Sequence, residues 1–534
     1  MIKTLTAKID GRWMANGVEI ADAILDGRQI DDIANFLQPT IDDLIPLDRL
    51  KNIDKAYDII TETVEKDGKF LVYFDIDNDG TCAGAIVARY LSKMGANVQT
   101  YIGEGKIHGL NNLPIEELYG IDTLIIVDSI DDNVGLYTKI LDLGVKICCF
   151  DHHIIPQSLI DAKLDIVLVS CMDDYPNTSL SGSAVAWKVM SYIDEMNWTD
   201  YATDLVDLAA TGLVGDMMDL SVPENRYICY EGFNNLRNPA LKKIVGSYMF
   251  NAESVSYSVS PLINGCMRTN NNYIARQMFM SDDEDEISWL MASAKKFKEK
   301  QNKMVDEVIN DLRIQGDSQK DKKCKVFWIP EEYKNLSGLL GNKLLSEYQS
   351  PLLVVREHLD GTISGSMRAV GVDDFALVVN NTGLAICSGH ELAAGFECKK
   401  ENWETFLCVI EDTLKDIEFC TNIEADIELS PDQIDDGLIR HINSLNRISG
   451  NGFKPITVLI RSDDYTVGCM SKGKHLKITD NKSGMIFVKW NDGSYESVPE
   501  NGEIIGIGTI SNAYYGRTKY KQCVMNDYVV NTTE

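Results

Sequence analysis

Acidic and imidazole side chains follow three apolar runs of the chain, at positions where they could bind divalent metal ions. The run FLVYF is followed by Asp75, Asp77 and Asp79, the run LIIV by Asp128, and the run ICCF by Asp151, His152 and His153. Carboxylate oxygens and imidazole nitrogens form a mixed ligand set that suits manganese, magnesium or zinc. These residue types, at these positions, favour a metal-dependent reaction.

A fourth contribution is Asp216, in the stretch TGLVGDMMDL. The apolar neighbours predict a helix, and an unpaired carboxylate within it would be costly to bury. A bound cation would explain this aspartate, and a capping position at the end of the helix is the alternative.

The segment Asp75 to Gly80 also matches the beginning of an EF-hand calcium loop. Two features exclude that interpretation. The twelfth loop position is Ile86 instead of glutamate, and the residues before the loop predict a strand rather than a helix. Taken alone, the segment could still be a solvated acidic turn.

The apolar runs that precede these residues predict a parallel sheet. Short apolar segments alternate with amphipathic stretches, which is the pattern of a doubly wound α/β fold. In such sheets ligands bind at the carboxyl ends of the strands, where the acidic residues are expected to converge. The predicted strands are Phe70 to Phe74, Asn97 to Ile102, Thr123 to Val127, Val145 to Phe150 and Ile166 to Val169.

Further patterns complete the predicted architecture. Apolar residues at helical spacing from Ile287 to Leu312 predict one helix of about 40 Å, which either links two domains or packs within one. A second α/β unit follows from about Cys324 to Phe419, and the segment from Ile20 to Lys69 is helical in pattern. The tail from about Lys454 to Val530 alternates β-branched and aromatic residues with glycine turns, which predicts a small barrel.

Composition limits the function classes. The net charge of −30 argues against general nucleic-acid binding, although a nuclease needs only a local basic groove and bound cations neutralise carboxylates. The 13 cysteines include no C-x-x-C pair, so we expect reduced thiols. The sequence has no apolar run of the roughly 20 residues that a transmembrane helix needs, and no signal-peptide core. We therefore expect a cytoplasmic protein without membrane contact.

The order of the motifs resembles the DHH phosphoesterase family, and within it the RecJ-like single-strand-specific exonucleases. Asp75 to Gly80, Asp128, Asp151-His152-His153 and Gly215-Asp216 are similar to the four ordered DHH motifs. PLINGCMR, SGSMR and SGHELAAG continue the similarity, the last resembling the G-G-H-x-x-A-A-G run of the DHH-associated domain. FLQP resembles the amino-terminal lead-in, and GNGFKP, GKHLKI and SNAYYGRTKYKQ resemble the oligonucleotide-binding barrel.

The resemblance implies an α/β protein of five segments. In chain order these are an N-terminal lead-in at 1–48, a doubly wound DHH catalytic domain at 49–281, a linking helix at 282–316, a DHH-associated substrate-binding α/β domain at 317–425, and an OB-like nucleic-acid-binding barrel at 426–534.

The resemblance also implies roles for individual residues. Two divalent cations, Mn²⁺ or Mg²⁺, would be held by Asp77, Asp79, Asp128, His152 and Asp216, with Asp128 as the bridge and Asp75 as a ligand or an outer neighbour. His153 would act on the phosphate or the leaving group, or would orient His152. Substrate binding is implied for Lys106, Arg268, Ser366, Arg368, Gly389, His390, Tyr514, Tyr515, Arg517 and Lys519. For the tail residues, an exposed hairpin with solvated charges is the alternative.

Three positions depart from the family pattern. Ser129-Ile130 follows Asp128 where a glycine is frequent, and Ser388 stands where a glycine is usual. Lys106 precedes Gly109 where RecJ proteins carry an arginine before a G-Y-G turn, and this departure affects recognition of a 5′ end rather than metal binding.

The resulting hypothesis is a metal-dependent exonuclease that degrades single-stranded DNA, from 5′ to 3′, to mononucleotides. A phosphodiesterase for short oligonucleotides or cyclic dinucleotides is one alternative, and a non-catalytic replication scaffold with the RecJ fold is another. We expect a monomer whose partners are single-stranded DNA and, as candidates, a single-strand-binding protein or a helicase.

Overall fold

The computed structural model describes residues 3–103, 108–419, 421–515 and 517–532. The chain divides into two compact units. The parallel-sheet unit comprises Ile30–Gln301 and Leu445–Pro455, and the two-sheet unit comprises Met1–Gln29, Asn302–Ser444 and Ile456–Glu534. Segments that are distant in sequence therefore belong to the same unit.

The parallel-sheet unit contains a five-stranded sheet in which every neighbouring pair of strands is parallel. The first strand along the chain lies between the second and the third, so the sheet has a switch point where the connections diverge, and a crevice forms there at the carboxyl ends. This arrangement confirms the predicted doubly wound sheet. The strands, in spatial order, are Asn97–Ile102, Lys69–Phe74, Thr123–Val127, Lys146–Asp151 and Ile166–Ser170.

Helices cover both faces of this sheet. Phe70, Val72 and Phe74 enter one apolar core, whereas Leu71 and Tyr73 enter a second core on the opposite face. The alternation follows from the two-residue period of a strand, and it accounts for the continuous apolar run. The helices of the unit are Ile33–Leu37, Ile53–Glu65, Asn78–Lys93, Val134–Asp142, Gln157–Ala162, Gly182–Asn197, Val206–Gly215, Pro223–Asn234, Pro239–Val245, Ala252–Ser254, the π-helix Val255–Val259, Ser260–Arg268 and Asn272–Met280.

A single helix of 34 residues, Glu284–Asp317, spans the sequence boundary between the two units at Gln301 and Asn302. Its existence was predicted from the apolar spacing, and its role as a linker stays a prediction. Within the described ranges, no helix is both long enough and apolar enough to cross a bilayer.

The first sheet of the two-sheet unit has five strands. Its spatial order is Ala385–His390, Ala393–Lys399, Thr362–Arg368, Leu352–Glu357 and Lys325–Trp328, antiparallel except for the last pair. The helices Ser337–Tyr348, Phe375–Asn381 and Trp403–Leu414 lie in the same stretch of sequence. The predicted second α/β region is therefore confirmed.

The second sheet of this unit has eight strands. Their order is Lys3–Asp10, Thr421–Leu429, Val458–Ser462, Glu503–Tyr515, Thr518–Asn531, Ile486–Lys489, His475–Asp480 and Tyr465–Met470, with the helices Gly17–Gly27 and Asp436–Leu445. The antiparallel C-terminal part is consistent with the predicted barrel-like domain. The strand Lys3–Asp10 was not predicted, and it pairs in parallel with Thr421–Leu429.

Candidate metal centre

Three aspartates lie where the strand Lys69–Phe74 passes into the helix Asn78–Lys93. Asp77 is the N-cap residue of this helix, and its carboxylate accepts a hydrogen bond of 2.9 Å from the Gly80 amide. A β-carbon on Gly80 would lie 2.5 Å from the β-carbon of Asp75, so only glycine permits this close turn. The turn places Asp75 and Asp79, both buried, at the carboxyl edge of the sheet.

Asp128 lies at the end of the neighbouring strand, Thr123–Val127, with a left-handed φ of 56°. Only 1% of its surface is exposed. Its backbone amide donates a hydrogen bond of 2.9 Å to the Phe150 carbonyl, which holds this uncommon conformation. Gly182 packs against the carboxylate, where a β-carbon would lie 2.7 Å from Asp128 Oδ1.

Asp151 organises the two histidines that follow it. Its Oδ1 accepts hydrogen bonds from the amides of His152 and His153, at 2.7 and 2.8 Å, and lies 2.8 Å from His153 Nδ1. Its Oδ2 accepts a hydrogen bond of 2.7 Å from the Ile130 amide. Burial opposes the charge of Asp151, but the His153 contacts outweigh it and lower the pKa of this carboxyl. Both carboxylate oxygens therefore fix the backbone around the histidines.

Asp216 is the C-cap residue of the helix Val206–Gly215. A capping position at the end of the helix was the alternative to a bound cation, and the structure places Asp216 at that end, with its side chain one-third exposed. Its Oδ2 lies 3.4 Å from His152 Nε2, which in turn lies 3.2 Å from Asp128 Oδ1. A carboxylate at a helix C-terminus faces the negative end of the helix dipole, so a nearby cation would compensate an unfavourable position.

The electrostatics of the cluster favour a bound cation. Burial, reinforced by repulsion from Asp79 and Asp77, raises the pKa of Asp128 well above its ordinary value. The same causes raise the pKa of Asp216 to about 8. Buried carboxylates that lie close together resist ionisation when no positive charge is near them. A divalent cation favours their ionised form.

Several buried atoms of the cluster lack a hydrogen-bond partner. Among the described residues these include Asp79 Oδ2, Asp128 Oδ1 and His152 Nε2. Buried polar atoms are nearly always satisfied in folded proteins, so these three fit the ligands of an ion. Ligand atoms lie within 4.8 Å of one another in three groups: Asp128 with His152 and His153, Asp79 with His152 and Asp216, and Asp75 with Asp77 and Asp128.

The structure adds one residue that the sequence analysis missed. His108 Nδ1 lies 3.2 Å from Asp75 Oδ2, and its Nε2 lies 2.9 Å from the Ile130 carbonyl oxygen. Burial opposes its charge, but the hydrogen bond and the negative charge of Asp75 prevail and raise the pKa of His108 to about 9. The available signal was a histidine directly before Gly109, in a chain with only 7 histidines.

Four of the predicted substrate-binding residues lie on strands of the five-stranded sheet in the two-sheet unit. Ser366 pairs with Gly395, and Arg368 pairs with Ala393, which also pairs with His390, the neighbour of Gly389. Arg368 donates hydrogen bonds of 2.6 Å from Nε to Asn342 Oδ1 and from Nη1 to the Met367 carbonyl. Their roles in binding substrate stay predictions.

The remaining predicted residues lie in other segments of the chain. Tyr514 is exposed and pairs across the hairpin with Lys519, whose Nζ lies 2.7 Å from Asp436 Oδ2. Arg517 is exposed in the turn, and Arg268 Nη1 donates a bond of 3.4 Å to Gln301 Oε1. Lys106 and the side chain of Tyr515 lie outside the described part of the structure.

Part of the chain that contains this site matches a known protein family. Residues 69–213 match the family model of the DHH family, N-terminal domain. The match contains the ends of the strands that carry Asp75 to Asp79, Asp128 and Asp151 to His153, and it ends before Asp216.

Relatives that match most of the chain extend the similarity. A relative named as a putative single-strand DNA-specific exonuclease, YorK from the SPbeta prophage of Bacillus subtilis, is 28% identical over 76% of this chain and 75% of the relative. The single-stranded-DNA-specific exonuclease RecJ of Bacillus subtilis is 25% identical over 90% of this chain and 64% of the relative. The crystal structure of RecJ in complex with Mn²⁺ from Thermus thermophilus superposes with a TM-score of 0.78 at 21% identity, covering 99% of this chain and 80% of that one. This last similarity shows a shared fold.

Proposed function

Because residues 69–213 match the N-terminal domain of the DHH family, we propose that the chain is a metal-dependent exonuclease that hydrolyses single-stranded DNA. The observation that carries the proposal is the set of buried ligand atoms without a hydrogen-bond partner, on Asp79, Asp128 and His152, at the carboxyl edge of the parallel sheet. The names of the relatives supply the substrate class. The long C-terminal hairpin offers an exposed tyrosine beside a lysine, which suits single strands better than dinucleotides.

Two Mn²⁺ or Mg²⁺ ions are proposed to bind through Asp75, Asp77, Asp79, Asp128, His152 and Asp216. Asp128 belongs to two of the three ligand groups, which supports its role as the bridging carboxylate. When bound, such a pair would polarise the scissile phosphate and supply a hydroxide near neutral pH. The carboxylates of this chain would hold that charge in a buried setting, where electrostatic interactions are stronger than in water.

His153 is proposed to contact the phosphate or the leaving oxygen. Its Nδ1 is held by Asp151, and its side chain is 44% exposed, so Nε2 can point towards a substrate at the edge of the site. His108 packs against the His153 ring with centroids 4.6 Å apart and limits its rotation. Asp151 and His108 would therefore orient this imidazole before the substrate arrives.

Strand direction and end recognition belong to the same proposal. We propose that Ser366 and Arg368 hold the 5′ phosphate and that degradation runs from 5′ to 3′. A role of Lys106 at the 5′ end, and substrate binding by Arg268, Gly389 and His390, stay predictions. Tyr514, Tyr515, Arg517 and Lys519 would hold the following bases and phosphates by stacking and charge. Binding to a single-strand-binding protein or a helicase, and a monomeric state, also stay predictions.

The test is a comparison of end-labelled substrates. Single-stranded DNA, duplex DNA, RNA dinucleotides and cyclic dinucleotides are incubated with the full chain in Mn²⁺ and in EDTA. We expect mononucleotides from single-stranded DNA in Mn²⁺ only. Turnover confined to dinucleotides would instead assign a small-nucleotide phosphodiesterase, and binding without turnover of any substrate would assign a scaffold.

A further inference from the structure

Two motifs from opposite ends of the sequence meet around one buried arginine of the parallel-sheet unit. Arg226 is 3% exposed, and its guanidinium carbon lies 3.4 Å from the ring centroid of Phe36, in FLQP, and 5.2 Å from that of Phe453, in GNGFKP. Arg226 also donates from Nε to the Phe36 carbonyl, at 2.8 Å, and from Nη1 to the Ile448 carbonyl, at 3.0 Å. Aromatic faces and carbonyl oxygens both stabilise a buried guanidinium, so this arrangement fixes the segment of GNGFKP firmly.

GNGFKP resembles a motif of the barrel in sequence, but residues Leu445–Pro455 belong to the parallel-sheet unit. In sequence, this segment lies between the helix Asp436–Leu445 and the strand Val458–Ser462. Residues Leu445–Pro455 therefore belong to the parallel-sheet unit, although the residues before and after them in sequence belong to the two-sheet unit.

Asn451, in this segment, contacts the turn that follows Asp216. Its Nδ2 donates a hydrogen bond of 2.8 Å to the Met217 carbonyl, and its own carbonyl accepts one of 2.9 Å from the Leu220 amide. One residue thereby holds both ends of the turn that directly follows Asp216. The neighbouring Gly452, with φ of +73°, comes so close that a β-carbon would lie 1.6 Å from Asp219 Oδ1.

The turn after Asp216 contains a residue other than glycine in the left-handed conformation. The Met218 amide donates to the Leu213 carbonyl at 3.0 Å and the Met217 amide to the Val214 carbonyl at 3.3 Å, which is the helix ending that usually carries glycine. Here the left-handed position is taken by Met217, with φ of +59°. Met217 is 58% exposed, so packing contributes little to keep it there. A non-glycine residue in this conformation persists when its surroundings enforce it.

We propose that Asn451 is a positioning residue for the metal centre, which holds the left-handed turn after Asp216 and so directs the Asp216 carboxylate towards His152. Arg226, between Phe36 and Phe453, fixes the segment that presents Asn451. The inference rests on the proposed metal site and adds to it a contribution from far along the chain. Asp216 depends on this support because it caps the end of its helix and is one-third exposed, unlike the buried Asp128.

The test measures Mn²⁺ affinity of the full chain by titration with electron paramagnetic resonance, together with the melting temperature. Asn451→Ala should weaken Mn²⁺ binding at the Asp216 position by about tenfold or more, since residues that orient ligands typically contribute that much. Asn235→Ala is the matched control, because Asn235 Nδ2 also donates to a backbone carbonyl, that of Glu231 at 3.0 Å. This control should keep wild-type affinity.

A double variant separates positioning from general stability. Glycine adopts the left-handed conformation without strain, so Met217→Gly should bind Mn²⁺ like the wild type, and in combination with Asn451→Ala should recover part of the lost affinity. Wild-type affinity in Asn451→Ala would overturn the inference. The inference would also be overturned if Met217→Gly failed to recover the Mn²⁺ affinity lost in Asn451→Ala and the control Asn235→Ala lost as much affinity. If the wild type binds no Mn²⁺, the metal site itself fails, and if it binds Mn²⁺ without hydrolysing DNA, only the proposed reaction fails.

Discussion

The metal centre and the C-terminal hairpin are two very different kinds of candidate site. In the metal centre, Asp75, Asp79 and Asp128 are buried, and backbone amides or close glycines fix the turns around them. In the hairpin, Tyr514 is 67% exposed and Lys519 bonds to an aspartate of its own unit. The first site is set before any ligand arrives, whereas the second offers surface groups that a flexible strand can meet in several ways. The two sites should therefore respond differently to substitution.

The largest effect is expected at the metal centre. Asp128→Ala and His152→Ala should each lower hydrolysis of single-stranded DNA at least about a thousandfold, about 4 kcal/mol in activation free energy, because each removes a ligand of the proposed ions. Binding to single strands should persist in a filter or anisotropy assay. Asp142→Ala, an exposed aspartate at the end of another helix, is the matched control and should retain activity. Wild-type rates from either ligand variant would remove the proposed centre.

An intermediate effect is expected at Arg368. A 5′-phosphorylated strand should be degraded roughly ten to a hundred times faster than a 5′-hydroxyl strand, because a charge-assisted hydrogen bond contributes about 1.5–3 kcal/mol. Arg368→Ala should erase most of this preference, and Lys106→Ala should cost less, since a lysine lacks the planar fork of arginine.

Arg368→Lys refines this second comparison, because it keeps the charge but loses the fork that now bonds to Asn342 and Met367. It should retain less than half of the preference. Indifference of the wild type to the 5′ group, or degradation from the 3′ end, would refute end recognition and leave the metal chemistry untouched.

The smallest effect is expected in the hairpin. Tyr514→Ala should weaken binding to long single strands by about 1 kcal/mol, roughly fivefold, with little change in turnover of very short oligomers, since stacking contributes about 1–3 kcal/mol per base. Tyr119→Ala, another exposed tyrosine, is the control and should bind normally. Equal losses on long and short substrates would mean that the hairpin has no separate binding role.

The same contrast explains what the sequence could predict. The aspartates at strand ends were predictable because strand period and position are local properties, and the parallel sheet brings such ends together whatever the loops do. His108 was missed because its contact with Asp75 depends on the path of a loop. The strand Lys3–Asp10 was missed because its partner, Thr421–Leu429, comes from the other end of the chain.

Asp216 and Asn451 illustrate the limit most clearly. Apolar periodicity predicted a helix around Asp216, but it could not show that the helix ends there in a left-handed methionine. Nor could the spacing of GNGFKP reveal that its asparagine bonds to that turn, because contacts between distant segments leave no local pattern. Both residues are defined by tertiary packing rather than by propensity.

Asp128 is proposed to join two groups of ligands into one metal centre. The most direct measurement is the number of Mn²⁺ ions bound per chain, determined by electron paramagnetic resonance titration of the wild type and of Asp128→Ala. We expect two ions for the wild type and, because Asp128 belongs to two of the three ligand groups, at most one weakly bound ion for the variant. Two tightly bound ions in Asp128→Ala, or none in the wild type, would contradict it.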